Sequence, residues 1–336
     1  MNAHIAGIDI GGTKIAITLA NATGIVQKRQ APVRTRGSKT AIAEQAWDLI
    51  GQACEAQGVP QNQLQSLGIS SCSPFINVPN AQGGSHREVS APNLCGGMGS
   101  NPYQLQNDWT SFALGSFFEG KVPVVVVEND AVATLQAERT FGAARGSDNC
   151  VYGTWSTGIG FGVCVDGRLL GGKRGNAGHA GHSYFAENEA AACGCGNAGD
   201  TEALLSGHAL ARSWQAASKQ PQATTLDFFT AARAGHPQAQ ALLVQAAQRF
   251  GTVLYNLCVT LDTEVFVLGG SVFSHHQDLL LPLLQKQLHH GLPALTQSAR
   301  IVPAALGDRT ADLGALSLVM PPEWVAAWLS GLQTNA

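Results

Sequence analysis

Val122–Asp130 reads VPVVVVEND and carries a plain strand signal: four valines in succession behind a proline. Such a run has high β propensity, and unbroken apolar character predicts a strand covered on both faces, as in a helix-flanked parallel sheet. It stops at Glu128-Asn129-Asp130, where the helix-forming AVATLQAERTFG follows. Further strands are expected at His4–Ile10, Ile15–Ala20, about Ile25–Pro32, Leu67–Ser71, Glu264–Leu268 and Arg300–Pro303. Val151–Val165 reads as a strand, a small-residue turn and a returning strand, with Asp166-Gly167 as a hairpin turn. Apolar residues at helical spacing (Ile42, Ala46, Leu49, Ile50, Ala53) predict a helix within Thr40–Gly58. Helices are also expected at Tyr103–Phe118, Gly207–Lys219, Leu226–Ala234, Pro237–Leu261, from about His275, and at Ala311–Met320. Pro321-Pro322 should stop the last of these before a short helix at Glu323–Leu332. Ser73–Pro102 is rich in Pro, Gly, Asn and Ser, and irregular stretches of that length are usually functional.

The 336 residues suffice for two domains with sizeable cores. A net charge of −3 with 13% charged residues leaves no electrostatic footprint for nucleic acid. No apolar run approaches the roughly 20 residues that cross a bilayer, so no membrane association is expected. MNAHIAGIDIGG lacks the basic and apolar regions of a signal peptide. Cys54, Cys72, Cys95, Cys150, Cys164 and Cys258 are scattered singly and read as small buried hydrophobes in a reducing, cytoplasmic compartment. Surface positions on helices are expected for His275, His276, His289 and His290.

The chemistry clusters where strands end. A strand closing on a carboxylate and an amide presents them where open α/β sheets bind ligands, making Asp130 a candidate general base and Asn129 a candidate substrate clamp. An equal reading makes Asp130 the cap of the following helix. Strand, Gly11-Gly12 turn and returning strand form a hairpin whose amides can approach a phosphate; Thr13 can donate a hydrogen bond and Asp9 can hold Mg²⁺ through water. An ordinary glycine hairpin is the alternative. The same device recurs at Ser156-Thr157-Gly158, once in each half of the chain, as two related halves clamping a polyphosphate would require. Asn93, in Ala91-Pro92-Asn93-Leu94, is either a polyol contact or a turn residue. His182, Cys193, Cys195 and Asp200 have the types and proximity of a structural zinc site, against the alternative of two free thiols in a glycine loop. Glu202 follows closely, and Gly269-Gly270 after a buried strand is a candidate adenosine-side contact.

DIGGTK at 9–14, PNL at 92–94, END at 128–130, STGIGFG at 156–162, GNAGHAGH at 175–182, CGCGNAGDTE at 193–202 and LGGS at 268–271 occur in a distinctive order. Together they resemble the ROK family of repressors, open reading frames of unknown role and sugar kinases. The resemblance implies an α/β, actin-like ATPase (ribonuclease H-like) fold, with two α/β domains around a cleft and often a homodimer. It implies a small N-terminal domain over 1–121, completed by 311–332, and a large domain over 122–310 holding the base and the zinc motif. Asp130 matches the catalytic base; Asn93, Asn129 and Glu202 match sugar-binding positions; His182 matches a residue touching both sugar and zinc. Asp9, Gly11, Gly12, Thr13 and Lys14 fall in the first phosphate loop, Thr157, Gly158 and Gly160 in the second, and Gly269 and Gly270 on the nucleotide side. His179 stands where the family carries a sugar-binding Glu, Asp200 replaces a third zinc cysteine, and Ser71-Cys72-Ser73-Pro74 replaces a glycine-proline-glycine turn.

These matches imply ATP-dependent phosphorylation of a hexose, foremost glucose at O6, with ATP, Mg²⁺ and a structural Zn²⁺. Fructose, mannose and N-acetylated hexosamines are the competing acceptors. A repressor would carry a DNA-reading domain ahead of the first phosphate loop, where eight residues precede Asp9. A silent sugar-binding protein is disfavoured by Asp130, Asn129 and both loops.

Overall fold

The opening strands pair as the alternation of their residues expects. In the computed structural model, which describes residues 3–79, 84–97, 105–185 and 191–333, β1 (His4–Ile10), β2 (Lys14–Asn21) and β3 (Gly24–Pro32) form an antiparallel meander. After α1 (Ala41–Ala56), β4 (Leu64–Ser71) pairs parallel with β1. Within the irregular 73–102 stretch, β5 (Phe75–Pro79) and β6 (Ser85–Val89) form a hairpin, and β7 (Phe112–Ala113) adds to β6. A single helical turn, α2 (Gly115–Phe118), leads to β8 (Val124–Asn129), followed by α3 (Asp130–Phe141). The five-stranded sheet has the order β3-β2-β1-β4-β8.

Three expectations are corrected here. The helix expected over Tyr103–Phe118 is reduced to α2: Tyr103 lies outside the described residues, and the chain from Leu105 is irregular up to β7. Asn107 explains this, because its Nδ2 donates to the Thr35 and Leu94 carbonyls and its Oδ1 accepts the Gly96 N–H, giving the backbone a non-helical alternative. The valine strand β8 is an edge strand, with Val124 50% exposed instead of covered on both faces. It pairs parallel with β4, from Ser66 opposite Val124 to Ser71 opposite Asn129. Hence the first compact unit takes in Met1–Gly142, Gly171–Ala177 and Leu306–Ala336, and the chain leaves it after Gly142, not before Val122.

The second unit, Ala143–Leu170 with Gly178–Ala305, repeats the plan. β9 (Cys150–Trp155), β10 (Ile159–Val165) and β11 (Arg168–Leu169) form a meander whose last turn has positive φ at Asp166 and Gly167. Helices α4 (Thr201–Leu205), α5 (Gly207–Ser218), α6 (Thr225–Arg233) and α7 (Pro237–Leu261) precede β12 (Val265–Gly269). Then come α8 (Ser271–Leu288), α9 (Pro293–Thr296) and β13 (Arg300–Pro303). The order β11-β10-β9-β12-β13 matches the first sheet strand for strand, antiparallel meander first and parallel strands after. Trp155 stacks on Phe250 of α7 at 4.2 Å and donates its indole N–H to the Leu205 carbonyl, anchoring helices to sheet. His276 departs from its expected surface position: it is 6% exposed and stacks on Phe229 at 3.7 Å, where α8 kinks.

Back in the first unit, α10 (Thr310–Ser317) lies on the sheet and α11 (Pro322–Gln333) follows it. Gly7 and Gly68, opposite each other on β1 and β4, make room for α10. A Cβ at Gly7 would stand 3.0 Å from Ala315 Cβ, and one at Gly68 would fall on the Ala315 carbonyl oxygen. Backbone cannot yield as a side-chain tip can, so Gly68→Ala should cost about 3 kcal/mol by overpacking. Gly171→Ala, which meets open space, should cost almost nothing. Urea unfolding midpoints of the two variants check this; equal midpoints would contradict the account of α10.

Candidate functional site

In the first unit the predicted residues gather at the carboxyl ends of neighbouring parallel strands. Register sets Asp9 of β1 opposite Ser70 of β4, and Ser71 opposite Asn129 of β8. Ser70 Oγ donates to Asp9 Oδ1 at 2.8 Å. Burial raises the Asp9 carboxyl from 3.8 to about 6; the Ser70 hydrogen bond and Lys14 work against that rise, while the Asp130 charge adds to it. Asp9 and Asp130 are therefore electrostatically coupled.

The helix cap is Asn129, not Asp130. Asn129 has extended backbone, and its Oδ1 accepts the Ala131 N–H at 2.9 Å while its Nδ2 donates to Ser73 Oγ at 2.8 Å. Asp130 occupies the first helical position, where its Oδ1 also accepts the Ala131 N–H at 2.8 Å. Water reaches the Asp130 side chain, yet the protein packed around it raises its carboxyl above the usual value, with the Ala131 N–H and Asn129 pulling the other way. A carboxylate of raised proton affinity is the better general base.

The first glycine turn closes with Gly11 N–H donating to the Lys14 carbonyl at 2.9 Å, leaving Gly12, Thr13 and Lys14 exposed. Asn93 sits on a turn held by Leu94 N–H and Cys95 N–H, both donating to the Ala91 carbonyl. Its amide lies against the loop: a Cβ at Gly12 would stand 2.8 Å from Asn93 Nδ2. Loop and amide thus form one packed surface, and a side chain at Gly12 would displace the Asn93 amide. A separate cavity of about 460 Å³, lined in part by Arg87, Glu119 and Glu128 beside β8, includes none of Asp9, Asn93 and Asp130.

In the second unit the turn between β9 and β10 exposes Thr157, and Ser156 N–H donates to the Gly158 carbonyl at 3.0 Å. Gly160 pairs with Thr154, and Thr154 with Gly269, so Gly269-Gly270 lies next to this loop on the neighbouring parallel strand. Gly270 has φ of +84° and faces the Trp155 backbone at 2.5 Å from where a Cβ would be, so only glycine is accommodated. His179 and His182 lie on one 3₁₀ turn with ring centroids 6.0 Å apart. Cβ atoms at Gly178 and Gly181 would fall on the Phe161 and Ile159 carbonyls, so these glycines let the histidine turn lie flat on β10.

Cys193 and Cys195 come back to this turn. His182 Nδ1 is 3.3 Å from Asp200 Oδ2 and 3.7 Å from Cys193 Sγ, and Cys195 Sγ is 3.4 Å from the same Asp200 oxygen. One ligand atom from each of the four residues lies within 4.8 Å of the others. Ligands about 2.0–2.3 Å from a tetrahedral zinc stand about 3.3–3.8 Å from one another, a range that holds the three contacts above, so this N, O, S, S set suits the ion with at most a small inward shift of the remaining pairs. Asp200 is fully buried; burial opposes its charge, but His182, the Ala203 N–H and the two thiols hold its carboxyl below the usual range. Its other oxygen, Oδ1, caps α4 through the Ala203 N–H at 2.7 Å. Glu202, in the first turn of α4, accepts the Ile159 N–H on Oε2 at 2.8 Å and lies 3.5 Å from Cys193 Sγ through Oε1.

The ROK family model matches residues 5–321. The chain belongs to the ROK family. A crystal structure of a ROK family glucokinase from Streptomyces griseus, in complex with glucose and AMPPNP, is 28% identical with a TM-score of 0.68, covering 94% of this chain and 99% of that one. N-acetylmannosamine kinase of Shigella flexneri is 33% identical over 272 residues, 80% of this chain and 83% of the relative. A xylose repressor of Bacillus spizizenii is 27% identical over 94% of this chain and 76% of its own length. The actin-like ATPase fold of ROK kinases is thereby the fold of this ROK protein.

In this ROK chain, Asp9, Gly11–Lys14, Asn93, Asn129 and Asp130 belong to the first unit, and Thr157, Gly158, Gly160, His179, His182, Cys193, Cys195, Asp200, Glu202, Gly269 and Gly270 to the second. Sequence reasoning missed Ser70 and Ser73, the hydroxyls that hold Asp9 and Asn129. Their signal was present: polar Ser70-Ser71-Cys72-Ser73 ends an apolar strand as Glu128-Asn129-Asp130 does. Zinc held by the four-residue cluster predicts a single metal per chain in equilibrium dialysis, weakened at least about tenfold by Cys195→Ser. Asp200→Cys should bind at least as tightly as the native chain. Uptake insensitive to Cys195→Ser would contradict this site.

Proposed function

We propose that this ROK protein is an ATP-dependent hexose kinase that transfers the γ-phosphoryl group to glucose O6. The observation that carries the proposal is Asp130, a water-accessible carboxylate of raised proton affinity at the end of β8, coupled to Asp9 on the same edge of the sheet. A sugar hydroxyl is a poor acid, so its proton must be taken late by a positioned carboxylate. As the hydroxyl oxygen bonds to the γ-phosphorus, the bond from phosphorus to the β–γ bridging oxygen breaks and ADP leaves. The hydroxyl proton passes to Asp130.

The other residues position the reactants. Asn129 Nδ2 donates to Ser73 Oγ in this structure, and a sugar hydroxyl can replace that serine hydroxyl like for like. Asn93, packed on Gly12, joins sugar recognition to the first phosphate loop. His179, His182 and Glu202 supply further sugar contacts, and the exposed turns at Gly12–Lys14 and Thr157–Gly158 present the chain to phosphate oxygens. Gly269 and Gly270 let the chain pass against the adenosine. Asp9 would hold magnesium, which would supply charge neutralisation on the phosphates. The competing acceptors are mannose, fructose and N-acetylated hexosamines, since the imidazole of His179 replaces a carboxylate at the sugar and an N-acetylmannosamine kinase is among the relatives. A repressor is also among them; Asp9, Asp130 and both glycine loops favour the kinase.

Asp130→Asn keeps an oxygen for the Ala131 N–H but removes the proton acceptor. It should lower kcat by about 10³ while changing sugar affinity, read from tryptophan fluorescence, by less than about threefold. Near-normal turnover would overturn the proposal. Asp9 adds a pH dependence of definite sign. Its carboxyl, raised from 3.8 to about 6, holds its proton below about pH 6 and competes with the cation there. Mg²⁺ affinity should therefore fall by up to about tenfold per pH unit below 6 and level off above it. Titration calorimetry across pH 5–8 measures this; Asp9→Asn should flatten the profile.

A further inference from the structure

Helix α4 is five residues long, yet three of its ties lead to two different places. Its start is held by the cluster, because Asp200 both faces His182 and Cys195 through Oδ2 and caps the helix through Oδ1. Its first turn carries Glu202, whose Oε2 accepts the Ile159 N–H on the far side of the second glycine loop. Its end passes into Gly207, whose N–H donates to the Ser156 carbonyl at 2.8 Å on the near side of the same loop. Gly158 packs directly on Glu202, a Cβ there standing 2.9 Å from Oε2. The two ends of the Ser156–Ile159 turn thus hang on α4 and on the first residue of α5, which follows it after Ser206, and α4 itself starts from Asp200 of the cluster.

We propose that α4, through Glu202, couples the His182–Cys193–Cys195–Asp200 cluster to the second glycine loop, so that a zinc ion in the cluster orders the loop. Glu202 is a positioning residue in this scheme. Its two oxygens bridge Cys193 on one side and the Ile159 amide on the other, so fixing Cys193 fixes the carboxylate that the loop leans on. Thermodynamic linkage makes the effect reciprocal: whatever the loop binds raises the cluster's affinity for zinc by the same factor. The consequence for phosphate binding rests on the kinase reading, but the coupling itself does not.

The test uses the whole chain and zinc alone, with no nucleotide, so it can fail independently of the kinase reading. Amide hydrogen exchange at Ile159 is followed by NMR in zinc-loaded and chelator-stripped protein. Zinc should slow exchange at Ile159 at least about fivefold, the low end of ordinary coupling between sites. In Glu202→Ala, zinc should still bind but lose its effect on Ile159. Glu202→Gln, which keeps an acceptor oxygen, should retain it. Equal exchange with and without zinc in the native chain overturns the proposal, as does absence of zinc uptake or a zinc effect that survives Glu202→Ala. Should Glu202→Ala fail to fold, the native comparison decides alone.

Discussion

Parallel pairing of β8 on β4, with Ser71 opposite Asn129, fixes where the chemistry of the first unit sits. A slip of one residue would turn every side chain of β8 to the other face and carry Asp130 away from the row that begins with Asp9. The register is set from both sides: β4 is also paired with β1, and the Gly7–Gly68 pair admits α10 at one depth only. From there the consequences are local. Strand ends place Asp9 and Asn129, Ser70 and Ser73 hold them, and the start of α3 presents Asp130.

The second unit solves a different problem with the same strand order. Instead of a carboxylate at the strand end it brings a glycine loop, a histidine turn and a thiol turn onto the β9–β10 hairpin. Close approach is again the device. Gly178 and Gly181 lay the histidines on β10, and Gly158 seats the loop on Glu202. In the cluster of His182, Cys193, Cys195 and Asp200, the aspartate does two things at once. A carboxylate has two oxygens, so one can cap α4 while the other faces the ligand set.

Much of this was legible in the residues because it follows from periodicity. Seven residues of β1 and all of α7 fall where the apolar spacing put them, and the repeated glycine hairpins pointed to two related halves. What escaped depends on distant partners. The valines of β8 read as a covered strand, but nothing in VPVVVV says that, among the described residues, it ends the sheet with Val124 open to solvent. Asn107 forbids the helix expected around it only because Thr35, Leu94 and Gly96 are near in space. His276 looks like any helix-surface histidine until Phe229, far away in the chain, stacks on it. Asn129 and Asp130 were both eligible to cap α3, and sequence cannot divide the roles; the extended backbone at Asn129 does. Glu202 was singled out for sugar, while its hold on the Ile159 amide became visible only with β10 and α4 together.

The central claim is phosphoryl transfer from ATP to a hexose, and a coupled ADP-release assay addresses it most directly. Mg·ATP is offered with glucose, mannose, fructose, glucosamine, N-acetylglucosamine and N-acetylmannosamine in turn. The account predicts sugar-dependent ADP release, greatest with glucose, and a product carrying phosphate at O6. ADP release that no sugar stimulates would contradict it.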